Sequence, residues 1–167
     1  MVIIGGAKIS DKIEVIKKFI SRADFIAIGG AMANTFLLAE GIKVGRSLVE
    51  DEDVPLAKEI IEIAKAEAKA RQFVFYLPQD GVVANDLEEP KSTRIVDWDA
   101  NVIADIESYP KQPTRQSSEV GADERILDIG PFSGSFIAGG VQLAKTVIWN
   151  GTMGVTETDG NKTNFLI

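Results

Sequence analysis

Two lysines four residues apart, Lys8 and Lys12, follow the apolar run and glycine pair of IIGGAKISDK, residues 3–12. An ammonium group at the start of a helix meets the positive end of the helix dipole and is mildly disfavoured there. A bound anion reverses that sign. The amides of the turn and both lysines would then converge on phosphate oxygens; the same pair would also suit a solvated surface. A second cluster, NGTMGVTE at 150–157, sets an amide, two flexible backbone sites and a carboxylate just past another apolar run. It suits phosphate at Asn150 and a ribose hydroxyl at Glu157, or else is an Asn-Gly turn with an exposed glutamate.

The rest of the composition narrows the chemistry. The 167 residues contain no cysteine and no histidine, which removes thiolate nucleophiles, imidazole bases, disulfides and the usual zinc ligands. Lysine, arginine, carboxylates, hydroxyls and backbone amides remain. A formal net charge of -7 argues against broad attraction to nucleic acid or an anionic membrane, so any anion must be held by a local cluster. No apolar run approaches the roughly 20 residues of a membrane span, and the amino terminus lacks a charged region ahead of an apolar one. A cytoplasmic protein is the default expectation.

Repeated strand-to-helix units must position these groups. Val2 to Ile4 is a β-branched run closed by Gly5-Gly6, followed by helical spacing of Ile13, Ile16 and Ile20. FIAIGG at 25–30 and AMANTFLLAEG at 31–41 repeat the pattern, with Gly41 as a helix C-cap. Two such units in succession imply a parallel sheet. The acidic EDEDVP at 50–55 announces a third helix from about Pro55 to Lys69. FVFYLP at 73–78 and TRIV at 93–96 read as strands, and 97–124 as a polar surface insertion. Residues 125–145 read as a strand, a Gly-Pro turn and a helix capped by Ser133 or Ser135, and TVIWNG at 146–151 as a last strand. Strand ends at Ile4, Ile28, Ile129 and Trp149 all run into glycine, and ligands in open parallel sheets bind beyond such ends. Trp98 and Trp149 read as core or semi-buried aromatics.

A rival reading attaches to ILDIGPFSGSF at 126–136, because strand, Asp, glycine turn and helix also describe the nucleotide-binding turn of methyltransferases that use S-adenosylmethionine. Against it, Pro131 and Phe132 follow Gly130 where another glycine is expected, and TVIWNG carries no acidic residue for a ribose.

Taken in order, GGAKISDKI, IGGAMANTF, GIKVGRSLVEDE, LDIGP and VIWNGTMGVTE resemble the nucleotide-binding carboxyl-terminal domain of phosphoglycerate kinase, over most of residues 2–157. The resemblance implies a Rossmann-like three-layer α/β/α sandwich with a mainly parallel sheet, incomplete at its C-terminal end, with the whole of 1–167 a partial nucleotide-binding domain. It implies Mg-ATP or Mg-ADP as the nucleotide and 3-phosphoglycerate held by an amino-terminal domain. Lys8 would stabilise the phosphoryl group in flight. Lys12 would hold nucleotide phosphate, with Gly6, Ala7 and Gly151 as further contacts. Gly29, Gly30 and Leu127 would border the adenine, Val155 would pack near it, Asn150 would lie by the phosphates and Glu157 would bind ribose. No metal ligand is expected among these residues, because the magnesium aspartate belongs to a later GGGD segment not found here.

The sequence departs from the family pattern at Ala31, Ile126, Thr152 and Thr156. Ile126 matters most, since its branched side chain stands where a glycine lines the adenine slot. The implied activity is reversible phosphoryl transfer between 1,3-bisphosphoglycerate and Mg-ADP in glycolysis and gluconeogenesis, with these 167 residues supplying the nucleotide site and showing little or no turnover alone. The family is usually monomeric, but a sheet lacking its last strands would expose an edge and favour self-association or partner docking. A stand-alone, non-catalytic nucleotide-binding or interaction module is the alternative.

Overall fold

The computed structural model describes residues 1–86, 92–98, 102–104 and 118–155. In chain order the elements are β1 (Val2–Ile4), α1 (Ile13–Ile20), β2 (Phe25–Ile28), α2 (Ala31–Ala39), a 3-10 turn (Asp51–Asp53), α3 (Val54–Ala70), β3 (Val74–Tyr76), β4 (Asp80–Ala84), β5 (Arg94–Asp97), β6 (Arg125–Ile129), α4 (Pro131–Leu143) and β7 (Ile148–Asn150). Among the described residues no helix is long and apolar enough to cross a membrane.

Four strands form a parallel sheet in the order β3-β2-β1-β7, with Val2 opposite both Ile26 and Ile148. Because side chains alternate across a strand, Val2, Ile4, Ile26, Ile28 and Phe75 face one side, where Ile16, Ile20, Met32, Phe36, Ile60 and Ala64 of α1, α2 and α3 cover them. Ile3, Ala27 and Tyr76 face the other side and pack on Ile137 and Phe136 of α4. Their β-branched, two-sided apolar character is what a sheet covered on both faces requires. The result is the expected three-layer α/β/α arrangement.

Several details differ from the sequence reading. A second, antiparallel sheet in the order β5-β4-β6 stands beside the first. Its middle strand begins with Asp80 and Gly81, two residues poor in strand propensity, and so carried no strand signal. Ile129 therefore ends a strand of the antiparallel sheet, not of the parallel one. Helix α4 is capped at Gly130, with Pro131 in its first turn, rather than at Ser133 or Ser135. Trp149 is half exposed on the outer strand of the parallel sheet, with its indole N–H donating to Gly151 O at 2.7 Å.

Of the stretch 97–124, the described parts belong to the fold. Asp97 ends β5, Ile103 bridges Phe75 across the isolated pairing beside β3, and Val120 is buried against Val83 and Val96. Residues 99–101 and 105–117 lie outside the described residues. The C-cap expectation at Gly41 holds: its φ is +83°, and the Gly41 and Ile42 amides donate to Leu38 O and Leu37 O at 2.9 and 3.0 Å. Both bonds together are the Schellman pattern.

Candidate functional site

The C-terminal edge of the parallel sheet is built from backbones in unusually close approach. Gly29 N–H donates to Ile4 O, Gly5 N–H to Asn150 O, and Met32 N–H to Gly6 O, at 2.9 to 3.0 Å. Side chains would not fit. A Cβ on Gly5 would lie 1.9 Å from Thr152 O, and one on Gly30 would lie 2.5 Å from Gly6 O. Gly30 also holds φ +67° at the N-cap of α2, a region glycine enters without steric cost.

These turns form one wall of a slot of about 240 Å³. Gly6, Ala7, Gly30 and Ala31 face Ile126, Leu127, Asp128 and Ile129 of β6, with Leu37, Leu48, Pro78, Trp98 and Val155 completing a largely apolar lining. The loop 152–155 closes over it, held on one side by Gly30 N–H to Met153 O and on the other by Val155 N–H to Leu127 O, both at 2.8 Å. A flat, apolar slot with few polar groups is the usual form of a small-molecule pocket, and its volume lies just below the roughly 300 Å³ at which whole-ligand sites begin.

Beside the slot, Lys12 extends its chain above Gly6, with Cε 3.9 Å from where a Cβ would stand, and its Nζ donates to Asn150 Oδ1. Two predicted phosphate-binding residues, 138 positions apart in sequence, thus meet at one sheet edge. Lys8 is 60% exposed and its Nζ lies 3.4 Å from Glu50 Oε1. The other Glu50 oxygen is buried with no hydrogen-bond partner among the described residues.

Of the predicted residues, Gly6, Ala7, Gly30, Leu127 and Val155 line the slot. Gly29 and Gly151 do their work behind it: a Cβ on Gly29 would meet Met153 and one on Gly151 would meet Gly5 O. Glu157 and Thr156 lie outside the described residues. Ile126 does stand in the wall, as its substitution for glycine implied. Among the described residues no group of three or more acidic side chains is placed to hold a metal ion.

The structure adds residues that carried no sequence signal. Asp80, 2% exposed, points from β4 into the start of α4, where its carboxylate accepts from Phe132 N–H at 2.9 Å, Ser133 N–H at 2.8 Å and the Ser133 hydroxyl at 2.6 Å. It caps the helix from another strand, which also disposes of the methyltransferase reading: β6 is antiparallel, and the amides that would receive a ligand are already occupied. Ser47 Oγ accepts from Ile126 N–H at 2.8 Å, and Asn34 Nδ2 donates to Leu48 O at 3.1 Å. Together they brace β6 and Leu48 against α2. This explains GIKVGRSLVEDE structurally; a buried Ser and Asn beside a slot are visible in sequence only as unremarkable polar residues.

Asp128 is the other unanticipated group. It is a lining residue of the slot at 6% exposure, and burial pushes its carboxyl from 3.8 up to about 7, partly offset by the Ile129 N–H bond. The native state therefore keeps a proton that the unfolded chain loses above about pH 4. Stability should fall as pH rises through this window, and the whole cost is present above pH 7. Asp128→Asn has no such proton to lose. Thermal unfolding should show the variant gaining several degrees on the wild type at pH 8 and much less at pH 5; an equal gain at both pH values would contradict the shift.

With this geometry established, the similarities to known proteins can be placed. The phosphoglycerate kinase family model matches residues 1–163. Phosphoglycerate kinases of Aquifex aeolicus and a Roseiflexus species are 40% and 41% identical over 157 and 155 residues, which is 94% and 93% of this chain. The matches cover 34% and 33% of those proteins, so the chain spans about a third of the length of the curated relatives it matches. The solved structure of phosphoglycerate kinase from Coxiella burnetii superposes with a TM-score of 0.78 at 29% identity, over 98% of this chain and 36% of that one. That of the Pyrococcus horikoshii OT3 enzyme has a TM-score of 0.67 at 22% identity, over 95% of this chain and 35% of that one, and supports the fold alone. A match over nearly the whole chain, together with the shared fold, places the chain in the phosphoglycerate kinase family.

Proposed function

We propose that this chain supplies the nucleotide side of reversible phosphoryl transfer between 1,3-bisphosphoglycerate and ADP, in the cytoplasmic setting of glycolysis and gluconeogenesis. The observation that carries the reading is the meeting of Lys12 and Asn150 beside a glycine-walled apolar slot. The base occupies the slot between Gly30 and Leu127. The ribose and phosphates run over the Gly5-Gly6 turn toward Lys12 and Asn150, with the Glu157 carboxylate on the ribose.

Phosphoryl transfer depends on in-line positioning and charge neutralisation more than on a covalent nucleophile, which a chain without Cys or His can supply. Lys12 fixes the nucleotide phosphates by a charge-assisted hydrogen bond. Lys8, paired with Glu50, would neutralise the group in transfer, the role the family resemblance gives it. Magnesium, when bound with the nucleotide, would add further charge neutralisation; the family resemblance assigns the 3-phosphoglycerate site to an amino-terminal domain and the magnesium aspartate to a GGGD segment. The chain alone should therefore bind nucleotide and turn over little.

Calorimetric titration with ADP, with and without magnesium, tests this. Lys12→Ala should weaken ADP binding tenfold or more, since a hydrogen bond to a charged group contributes roughly 1.5–3 kcal/mol. Unchanged affinity in the variant would remove Lys12 from the site. Kinase turnover by the 167 residues at the rate of a whole enzyme would refute the division of labour. Ile126 in the slot wall favours a second reading, a nucleotide-binding module without catalysis. That reading predicts no turnover even when the chain is supplied with a phosphoglycerate-binding domain.

A further inference from the structure

Among the described residues Asp128 is the one acidic residue lining the slot, and neither phosphate binding nor charge neutralisation uses it. It sits mid-wall on β6, opposite the loop that closes the slot. Gly154 packs so tightly here that a Cβ would lie 2.1 Å from the Asp128 carboxyl carbon. Among the described residues its only hydrogen bond is the one that Oδ1 accepts from Ile129 N–H at 2.8 Å. Around it the walls are apolar: Ile126, Leu127, Ile129, Leu37 and Val155. A carboxyl kept at 6% exposure with one bond leaves most of its hydrogen-bonding capacity open to a ligand in the slot.

The charged neighbours are few. Arg125, from the same strand, lines the slot but directs a guanidinium N–H to Arg46 O at 3.0 Å. Asp80 stands at Gly130, where a Cβ would meet it at 2.2 Å, and its carboxylate is committed to the α4 amides. The lining residues of α2 (Ala31, Ala33, Asn34 and Leu37) and of the loop (Thr152 to Val155) carry no charge. Among the described residues no cation is placed to hold Asp128 ionised.

We propose that Asp128 is the base-reading residue of the slot, and that its protonated carboxyl hydrogen-bonds the edge of adenine. This rests on the nucleotide reading above. A protonated carboxyl offers one O–H donor and one carbonyl acceptor. That pair complements adenine, which presents a ring-nitrogen acceptor beside the N6 amino donor. Guanine presents two adjacent donors on its pairing edge and is complemented instead by the ionised carboxylate, which accepts both. The proton on Asp128 thus sets which base fits, and the elevated titration of this group, at about 7, puts the exchange within an accessible range.

The test is a pair of titrations of the wild-type chain with ADP and with GDP at pH 6 and pH 8. A group half-protonated near pH 7 loses roughly nine-tenths of its protonated form over that interval, so the ratio of ADP to GDP affinity should fall by tenfold or more. Asp128→Asn, whose amide donates and accepts at both pH values, should hold an ADP preference that does not change with pH. Should the variant not fold, ¹³C NMR of the wild-type Asp128 carboxyl gives the same answer: ADP should raise its titration midpoint and GDP should lower it. Binding of both nucleotides with a ratio independent of pH, or a midpoint unmoved by either, overturns the role of Asp128 and leaves the slot as the binding site. Absence of binding by either nucleotide overturns the site itself, and the role of Asp128 with it.

Discussion

Asp80→Ala is expected to lower the stability of the folded chain by about 3–5 kcal/mol, because it leaves several buried neutral donors without their acceptor at roughly 1–3 kcal/mol each. Asp80 is 2% exposed and accepts three hydrogen bonds, two of them from the second and third amides of α4. Pro131 occupies the first helical position and has no N–H to satisfy, so alanine at 80 would orphan the only donors that this helix start presents inward. The charge itself is favoured there, because the positive end of the α4 dipole faces it. Asp80→Asn keeps an acceptor oxygen and should cost about 1–2 kcal/mol. Urea unfolding should show the alanine variant with a much lower midpoint and an unchanged slope. A loss below about 1 kcal/mol would mean that α4 does not depend on this carboxylate. The consequence would spread to the site, since Asp80 also joins α4 to the antiparallel sheet whose β6 walls the slot.

Gly30→Ala should be severely damaging at the site, because it combines a left-handed backbone with a clash against backbone atoms. The residue has φ +67°, and the added Cβ would lie 2.5 and 2.6 Å from Gly6 O and N and 2.9 Å from Thr152 O. All three are backbone atoms, so nothing nearby can rotate away. Gly41→Ala is the matching control, with φ +83° and no atom within 4 Å. It should cost only the left-handed conformation itself, about 1–2 kcal/mol. Gly30→Ala should cost roughly 2 kcal/mol more than the control and weaken ADP binding as well, because relief of the clash must open the gap between the β1 and β2 turns. Equal costs for the two variants would show that the sheet edge yields freely.

How much of this was legible in the sequence depended on whether the signal was local. The strands β1, β2 and β3 were readable because a strand buried on both faces must be a continuous apolar run, and Val2-Ile3-Ile4 and Phe25-Ile26-Ala27-Ile28 are such runs closed by glycine. Helix α3 was readable from its acidic approach and the spacing of Ile60 and Ala64. The strand β4 was not, since Asp80 and Gly81 suit a turn locally and were selected by partners far along the chain: α4 for the carboxylate, and Trp98, whose ring lies 2.5 Å from a Cβ on Gly81, for the glycine. The pairing of β4 with β6, across 40 or more residues, leaves no periodicity to read.

The site divided in the same way. Gly6, Gly30 and Lys12 stood out by residue type at strand ends, and the Lys12–Asn150 contact was reachable only because both belong to ordered family motifs. Asp128 drew attention as part of LDIGP, yet nothing in its neighbours along the chain announces that Gly154 and the loop of 152–155 bury it. Ser47 and Glu50 were similarly hidden, because their partners Ile126 and Lys8 lie 79 and 42 residues away. Polar residues that earn their place through tertiary burial have no sequence signature of their own.

The central claim, that adenine nucleotide occupies the slot between the glycine turns and β6, is tested most directly by following backbone amide resonances of the ¹⁵N-labelled chain during an ADP titration. The account predicts that the largest shifts fall on Gly6, Ala7, Gly30, Leu127, Asp128 and Val155, with the Asn150 side-chain amide moving as its bond from Lys12 is exchanged for phosphate. Saturable binding that instead moves residues away from this edge, or leaves Gly30 and Leu127 in place, would contradict it.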